Sequence, residues 1–173
     1  MAEVAEYSAI EALRDGRRLE IRALRPDDRG AFAEAVGRSS EASLRRRFFA
    51  PKRSFTEQEI SFFVDVDFVS HVALVAVAEE CERPVIIGGG RYIVVEPWQA
   101  EAAFTVADRC QGQGLGAALM RHVTAIAREA GIKELIAEVL SENTPMLRVF
   151  EKSGLPLSIK REREVLHVTL QLF

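Results

Sequence analysis

The stretch DRCQGQGLGAAL, residues 108–119, combines residue types that bind anions. Gly112, Gly114 and Gly116 stand at alternate positions and run directly into an apolar helical pattern. Glycine at this density costs conformational entropy, which a ligand held close to the backbone would offset. The N–H groups at the start of a helix bind phosphate through hydrogen bonds and the helix dipole. The stretch therefore predicts a site for a phosphate-bearing ligand.

Two classes of nucleotide site are alternatives for this loop. A P-loop needs Gly-Lys-Ser/Thr after its glycines, and Gly114-Leu115-Gly116 excludes it. The segment GQGLGA does fit the G-x-G-x-x-A spacing of dinucleotide-binding loops, and Glu138 is an acid near the end of the next strand. However, the residues ADRCQ separate the preceding strand from the first glycine, where a dinucleotide fold has almost none. Antiparallel strands also precede the loop, so the dinucleotide interpretation is the weaker one.

Hydrophobic periodicity predicts the α/β elements that position this loop. The predicted strands are 17–24, 71–78, 84–95, 101–106, 132–140 and 164–173. The predicted helices are 26–37, 41–49, 56–64, 115–130 and 144–154, the fourth with an apolar stripe of Leu115, Leu119, Val123, Ile126 and Ala130. Strand 101–106, the loop, this helix and strand 132–140 form a crossover, which joins parallel strands. The glycines at 88–90 predict a bulge or kink in their strand.

Composition limits the classes of function. A chain of 173 residues, 48% hydrophobic and 28% charged, is expected to form one globular domain, residues 1–173. The net charge of −3 gives no electrostatic footprint for nucleic acid, and no apolar run approaches the ~18 residues of a membrane span. Cys81 and Cys110 form neither a disulfide framework nor a metal cluster, so no metal is expected. No targeting segment is recognisable, so a cytoplasmic location is expected.

Two motifs resemble those of the GNAT superfamily of acyltransferases. The segment FTVADRCQGQGLGAALM is similar to the family's Q/R-x-x-G-x-G/A pyrophosphate loop, carried here by Gln111, Gly114 and Gly116. The strand LIAEV is followed by SENTPMLRVFEKSGL, with Asn143 and a closing Lys-Ser-Gly in the family's places. The resemblance implies a GNAT-type fold: a central, mostly antiparallel sheet splayed between two parallel strands, with helices on both faces.

The same resemblance implies acetyl-CoA as the co-substrate. Its pantetheine arm is expected to enter the splay along strand 101–106, with its pyrophosphate against the N–H groups of residues 112–117. The residues expected to bind it are Phe104, Thr105, Val106, Gln111, Gly112, Gln113, Gly114, Leu115, Gly116, Ala117, Asn143 and Phe150.

The front half of the chain narrows the resemblance to a subgroup. The segment IRALRPDDRGAFAEAVGRSSEASLRRRFF is similar to the catalytic domain of bacterial protein-lysine acetyltransferases that modify acyl-CoA synthetases. A protein substrate, such as an AMP-forming acyl-CoA synthetase, is therefore expected. Some members of the subgroup carry a regulatory domain in addition, whereas this chain is expected to be a catalytic domain alone. Oligomerisation stays open.

Two glutamates are candidates for the general base. A lysine titrates near ~10.4, so a base must remove its proton before the amine attacks a thioester. Glu101 matches the glutamate of the protein-lysine subgroup, and Glu138 matches the base of the N-terminal-amine acetyltransferases. Either residue could instead be a solvated carboxylate at a strand end. An enzyme acting on a protein N-terminus or a small amine is accordingly the alternative.

The residue at the family's usual position for the general acid departs from the family pattern. Many members have a tyrosine seven residues after the asparagine, where this chain has Phe150. Phenylalanine cannot donate a proton, so the CoA thiolate leaves unassisted or with water. The substitution also supports a different class of function, a non-catalytic acyl-CoA-binding sensor.

Cations cluster on the helices that are expected to border the side of the splay where the acceptor binds. Six of them lie between residues 38 and 53, namely Arg38, Arg45, Arg46, Arg47, Lys52 and Arg53. A positive surface suits a protein with acids around its target lysine and repels a polyamine. The arginines at 45–47 could also meet the 3′-phosphate of CoA or simply form a solvated helix end.

Overall fold

A computed structural model describes residues 2–49 and 54–173, and these contain one sheet of eight strands. The strands are β1 (Ser8–Ala12), β2 (Arg18–Ala23), β3 (His71–Glu80), β4 (Arg83–Glu96), β5 (Gln99–Val106), β6 (Glu134–Leu140), β7 (Leu157–Glu162) and β8 (Val165–Gln171). The helices are α1 (Ala2–Ala5), α2 (Arg29–Gly37), α3 (Glu41–Phe48), α4 (Glu57–Val64), α5 (Leu115–Glu129) and α6 (Thr144–Glu151). The sheet order is β1-β2-β3-β4-β5-β6-β8-β7. All neighbours are antiparallel except β5 and β6.

Helices cover both faces of the sheet, as predicted. The apolar stripe of α5 packs against one face of the sheet and forms part of the larger core. The second core joins Ile60 and Val64 of α4 to Val75 of β3 on the other face, with α2 packed against it. The predicted fold class is therefore confirmed. The predicted stripe is wrong at its last residue, because α5 ends at Glu129 and Ala130 is exposed.

The elements that the sequence did not predict lie at the borders of the fold. Strand β1 alternates between exposed and half-buried residues at one edge of the sheet. Strand β7 forms the opposite edge, and only its first residue is not exposed. Short edge strands carry little of the apolar alternation that identifies a strand in sequence. The six predicted strands and five predicted helices are all present.

The glycines of β4 serve the packing of α5 as well as a bulge. The register of β3 and β4 shifts between Ala76 and Val77, so that the bulge lies directly before Gly88. A Cβ on Gly90 would lie 2.9 Å from the ring of Phe104 and 3.0 Å from Val123. The predicted bulge is confirmed, and larger residues there would push α5 away from the sheet.

The feature that positions the site is the short pairing between β5 and β6. The two strands pair at Gln99↔Glu134, Ala100↔Leu135 and Glu101↔Ile136. Beyond Glu101 the paired residues end, and the strands diverge. This is the splay between parallel strands that the family resemblance implied. No helix within the described residues is long and apolar enough to cross a membrane.

Candidate active site

A cavity of about 440 Å³ fills the splay between β5 and β6. Its walls come from β5, the glycine loop, β6, the length of α6 and one side of α3. The volume lies in the range of small-molecule and cofactor sites. The cavity brings together almost all of the residues predicted from sequence. Both candidate bases and eleven of the twelve predicted cofactor residues line it, and the exception is Gln113.

The glycine loop has the geometry of an anion site. Gly112 and Gly114 have φ values of 76° and 90°, in the left-handed region that favours glycine. Gly114 is the N-cap of α5, and its carbonyl accepts the first helical bond, from Ala118 N at 3.1 Å. The N–H groups of the first turn of α5 therefore have no acceptor within the helix.

Gly116 and Gln111 have structural roles that the sequence did not indicate. A Cβ on Gly116 would lie 3.2 Å from Val149 Cγ2, so this glycine lets α5 and α6 approach closely. Gln111 Nε2 donates to the carbonyl of Val106 at 3.3 Å, which ties the loop to the end of β5. Both residues shape the site as well as line it.

Arg14, in the turn between β1 and β2, is a site residue that sequence analysis missed. Its backbone N–H donates to the carbonyl of Gln113 at 3.1 Å. Its Nη1 donates to the carbonyl of Gly112 at 3.2 Å, and its side chain lines the cavity. The guanidinium therefore lies against the loop where a phosphate would bind. No local motif marks it, because the contact joins residues almost one hundred positions apart.

The two candidate bases differ in their surroundings. Glu101 is exposed and makes no hydrogen bond or ion pair with the residues that the structure describes. Glu138 is half exposed and contacts His167 of β8, with 3.4 Å between Oε1 and Nδ1. That histidine also contacts Glu162, at 3.3 Å. Glu101 is thus the freer of the two carboxylates.

Phe150 and Asn143 sit on the α6 side of the cavity. Phe150 is 1% exposed and packs edge-on against Phe104, with 6.1 Å between ring centroids. Asn143 is the N-cap of α6, and its side-chain oxygen accepts from Met146 N at 3.3 Å. Phe150 therefore shapes the cavity wall but offers no proton.

The cavity is predominantly positive. Its charged lining residues are the cations Arg14, Arg46, Arg47, Arg148 and Lys152 and the acids Glu101 and Glu138. An excess of cations favours a polyanionic ligand. Within the described ranges, no group of three or more His, Cys, Asp or Glu side chains could hold a metal ion.

The predicted cluster of cations on the front helices divides between several roles. Arg46 and Arg47 line the cavity. Arg38 pairs with Glu34 on its own helix, and Arg45 lies 3.8 Å from Glu142. Lys52 and Arg53 lie outside the described residues.

Comparison with known proteins gives consistent matches. A model of the acetyltransferase (GNAT) domain family matches residues 18–156. An acetyltransferase of Pseudomonas aeruginosa is 33% identical over 138 residues, which are 79% of this chain and 74% of that protein.

Solved structures agree with the sequence matches. The GNAT domain of S. lividans PAT superposes with a TM-score of 0.85 at 31% identity, covering 95% of this chain and 96% of that domain. The protein yncA of Salmonella typhimurium, solved with its cofactor acetyl-CoA, has a TM-score of 0.68 at 19% identity, covering 88% and 92% of the two chains. At that identity the second match supports the fold alone.

Proposed function

Because the chain belongs to the GNAT acetyltransferase family, we propose that it transfers the acetyl group of acetyl-CoA to a lysine side chain of a protein. The observation that carries the proposal is the splay of β5 and β6 beside the glycine loop. One cavity joins the free edge of β5, from Phe104 to Val106, to the free N–H groups of α5. A pantetheine arm fits the free edge of β5, and a pyrophosphate fits the free N–H groups of α5.

Arg14 is a further ligand for the phosphates in this proposal. Its guanidinium already reaches the carbonyl of Gly112 in the loop. An arginine that retains free donors beside a loop of N–H groups adds charge-assisted hydrogen bonds to a bound phosphate. Arg14 thereby extends the anion site from the loop to the β1–β2 turn.

Glu101 is the general base in this proposal. The residues of β5 alternate between the two faces of the sheet, so Glu101, Ala103 and Thr105 face α3. Glu101 also lies where β5 and β6 begin to diverge, and it lines the cavity there. Its carboxylate has no competing partner within the described residues, whereas Glu138 contacts His167.

The reaction then needs one proton transfer before bond formation. Glu101, directly or through water, removes a proton from the lysine ammonium, a step worth roughly 100- to 10,000-fold in rate. The neutral nitrogen attacks the thioester carbonyl and a C–N bond forms. The nitrogen then releases its second proton to water as the C–S bond breaks, which leaves a neutral amide. CoA leaves as a thiolate and takes its proton from water, because Phe150 offers none.

The acceptor follows from the subgroup resemblance and from charge. The resemblance to protein-lysine acetyltransferases lies in the segment SSEASLRRRFF and in the start of β5. The helix α3, which carries Arg45, Arg46 and Arg47, borders the cavity. Such a surface repels a polyamine and suits a protein with acids around its lysine.

The experiment offers three acceptors side by side with labelled acetyl-CoA. They are a purified AMP-forming acyl-CoA synthetase, its variant with the active-site lysine changed to arginine, and spermidine. We expect label on the unmodified synthetase only. Label on spermidine alone, or equal label on the lysine variant, would contradict the proposed acceptor.

A second candidate function is supported by Phe150. A buried phenylalanine at the usual place of the proton donor is compatible with a domain that binds acyl-CoA without transferring it. Both functions predict binding of acetyl-CoA, so only product formation separates them.

A further inference from the structure

A second, smaller cavity of about 100 Å³ lies on the α3 side of β5. It adjoins the main cavity, because Ser43, Arg47, Ala103 and Thr105 line both. Its other walls include aromatic rings of α3 and α4 and the backbone of Gly89. A Cβ on Gly89 would lie 3.1 Å from the carbonyl oxygen of Leu74, so the wall of the cavity at this position has little room for a side chain.

Arg91 of β4 lines this cavity and has no carboxylate partner among the described residues. Its Nη1 donates to the carbonyl of Phe63 and to Nε2 of His71, each at 3.0 Å. Burial, together with nearby Arg47, lowers the pKa of Arg91 to about 9, so it stays charged at neutral pH. Burial and Arg91 lower the pKa of His71 to about 4, so this histidine is neutral.

Arg47 of α3 is the second guanidinium of the cavity. It lies over the ring of Phe48, with 4.8 Å from Cζ to the centroid, and forms no hydrogen bond or ion pair within the described part of the chain. Burial lowers its pKa, and the charge of Glu101 acts in the opposite direction. Two partly buried cations thus face one small cavity, with Glu101 as the nearby carboxylate. Arginines that lose much of their contact with water are ordinarily paired with acids.

We propose that this smaller cavity is a carboxylate subsite, in which Arg47, with Arg91 beside it, binds an acidic side chain next to the lysine that reacts. The proposal rests on the proposed function, because it places the acceptor on the face of β5 that carries Glu101. Ala103, which lines the subsite, lies on the same face, about 7 Å further along the strand. An amine at Glu101 and a carboxylate at Arg47 would therefore come from the same side.

The size of the subsite and the chemistry of its donors agree with this occupant. A cavity of 150 Å³ holds the six carbons of benzene, so one of about 100 Å³ holds roughly four heavy atoms. A CH₂–COO⁻ group, the end of an aspartate or glutamate side chain, has four. The planar fork of a guanidinium matches the two oxygens of a carboxylate, which a neutral amide of the same shape does not replace.

The first test measures binding on the full chain saturated with CoA. The arginine Nε–Hε signals are followed by NMR while propionate, or its neutral counterpart propionamide, is added. We expect a saturable shift of the Arg47 signal with propionate and none with propionamide. An unmoved Arg47 signal would overturn the proposal, as would an equal shift of Arg45, which lies on the same helix outside both cavities.

The second test measures acetylation of two lysine peptides that differ only in a glutamate or a glutamine beside the lysine. We expect the glutamate peptide to have a kcat/KM about tenfold higher, mainly through KM, as for one charge-assisted hydrogen bond. Arg47→Gln should remove the preference and Arg45→Gln should keep it. Arg47→Lys keeps the charge without the fork, and should retain part of the preference. Equal use of the two peptides by the unmodified protein would contradict the subsite.

The two tests separate this proposal from the proposed function. If propionate moves Arg47 but neither peptide is acetylated, the carboxylate subsite stands and the lysine acceptor fails. The alternative is that the carboxylate bound by Arg47 belongs to the acyl group of the acyl-CoA and not to the acceptor. If Arg47→Gln weakens binding of succinyl-CoA and leaves acetyl-CoA binding unchanged, the carboxylate belongs to the acyl group and our assignment to the acceptor is overturned.

Discussion

Replacing Arg14 with glutamine tests whether the β1–β2 turn takes part in cofactor binding. Arg14→Gln keeps the backbone N–H that donates to Gln113 at 3.1 Å and removes the guanidinium that donates to Gly112 at 3.2 Å. The side chain is exposed, so its attraction to a phosphate is screened by solvent. We therefore expect the value of an exposed ion pair, about 0.5–1 kcal/mol, or roughly a two- to fivefold weaker affinity for acetyl-CoA.

The assay is calorimetric titration with acetyl-CoA at low and high salt. The loss should be largest at low ionic strength and nearly absent at 1 M salt, where the Debye length is about 3 Å. Arg18→Gln is the matched control, because this exposed arginine lies on β2 outside the cavity. An unchanged affinity of Arg14→Gln would refute the role of the turn. A loss independent of salt would instead indicate a distorted loop.

Three further changes test the general base, the contact between α5 and α6, and the buried ion pair between β2 and the start of α2. Glu101→Gln should keep the affinity for acetyl-CoA but lower turnover at least about tenfold at neutral pH. The loss of turnover should be smaller at high pH, because more of the amine is already neutral there. A larger loss in Glu138→Gln would favour an N-terminal acceptor. Gly116→Ala should lower the free energy of unfolding, because the crowding of its Cβ against Val149 of α6 at 3.2 Å, worth about 1–3 kcal/mol, outweighs the gain of about 1 kcal/mol from alanine's helix propensity. An unchanged or raised melting temperature would contradict that role. Asp28→Asn should cost about 3–5 kcal/mol in urea unfolding, because it breaks the buried pair with Arg22. Burial alone would raise the pKa of Asp28, but hydrogen bonds from Arg22 and a backbone amide bring it below its usual value. The cost should therefore be full at neutral pH and shrink as pH falls below about 4, through that lowered pKa.

The sequence predicted the centre of the fold because its signals there are local. The glycine loop, the stripe of α5 and the apolar run of β6 each lie within fifteen residues or fewer. A crossover of this kind has one usual topology, so the parallel pair followed directly. The edge strands β1 and β7 were missed because their residue types do not follow their burial. Strand β1 exposes Ile10 and half-buries Glu11, and β7 is exposed beyond its first residue.

The candidate site was predictable in its loop and less so in its charges. Gly116 was assigned to phosphate binding, whereas its contact with Val149 depends on how α5 meets α6. Arg14 reaches the loop only because the turn between β1 and β2 lies beside it. Arg47 and Arg91 share a cavity although they are on a helix and a strand far apart in sequence. Contacts of this kind depend on tertiary packing, which no local pattern reports.

The two candidate bases likewise differ through tertiary contacts that the sequence does not reveal. In sequence, Glu101 and Glu138 are two acids on neighbouring strands, and only the resemblance to the protein-lysine subgroup favours Glu101 as the base. The pairing of β6 with β8 places His167 beside Glu138, with Glu162 also within reach of that histidine. The sequence could not indicate this, because β8 follows β6 only after a helix and another strand.

We propose that this protein uses the cavity between β5 and β6 to transfer acetyl groups to lysine side chains of another protein. The most direct measurement is mass spectrometry of a cell lysate after incubation with the protein and isotope-labelled acetyl-CoA, beside the Glu101→Gln variant as a control. We predict labelled lysines on one or a few proteins, including an AMP-forming acyl-CoA synthetase, and much less label with the variant. Label confined to small amines or protein N-termini, or no labelled product despite bound acetyl-CoA, would contradict the account.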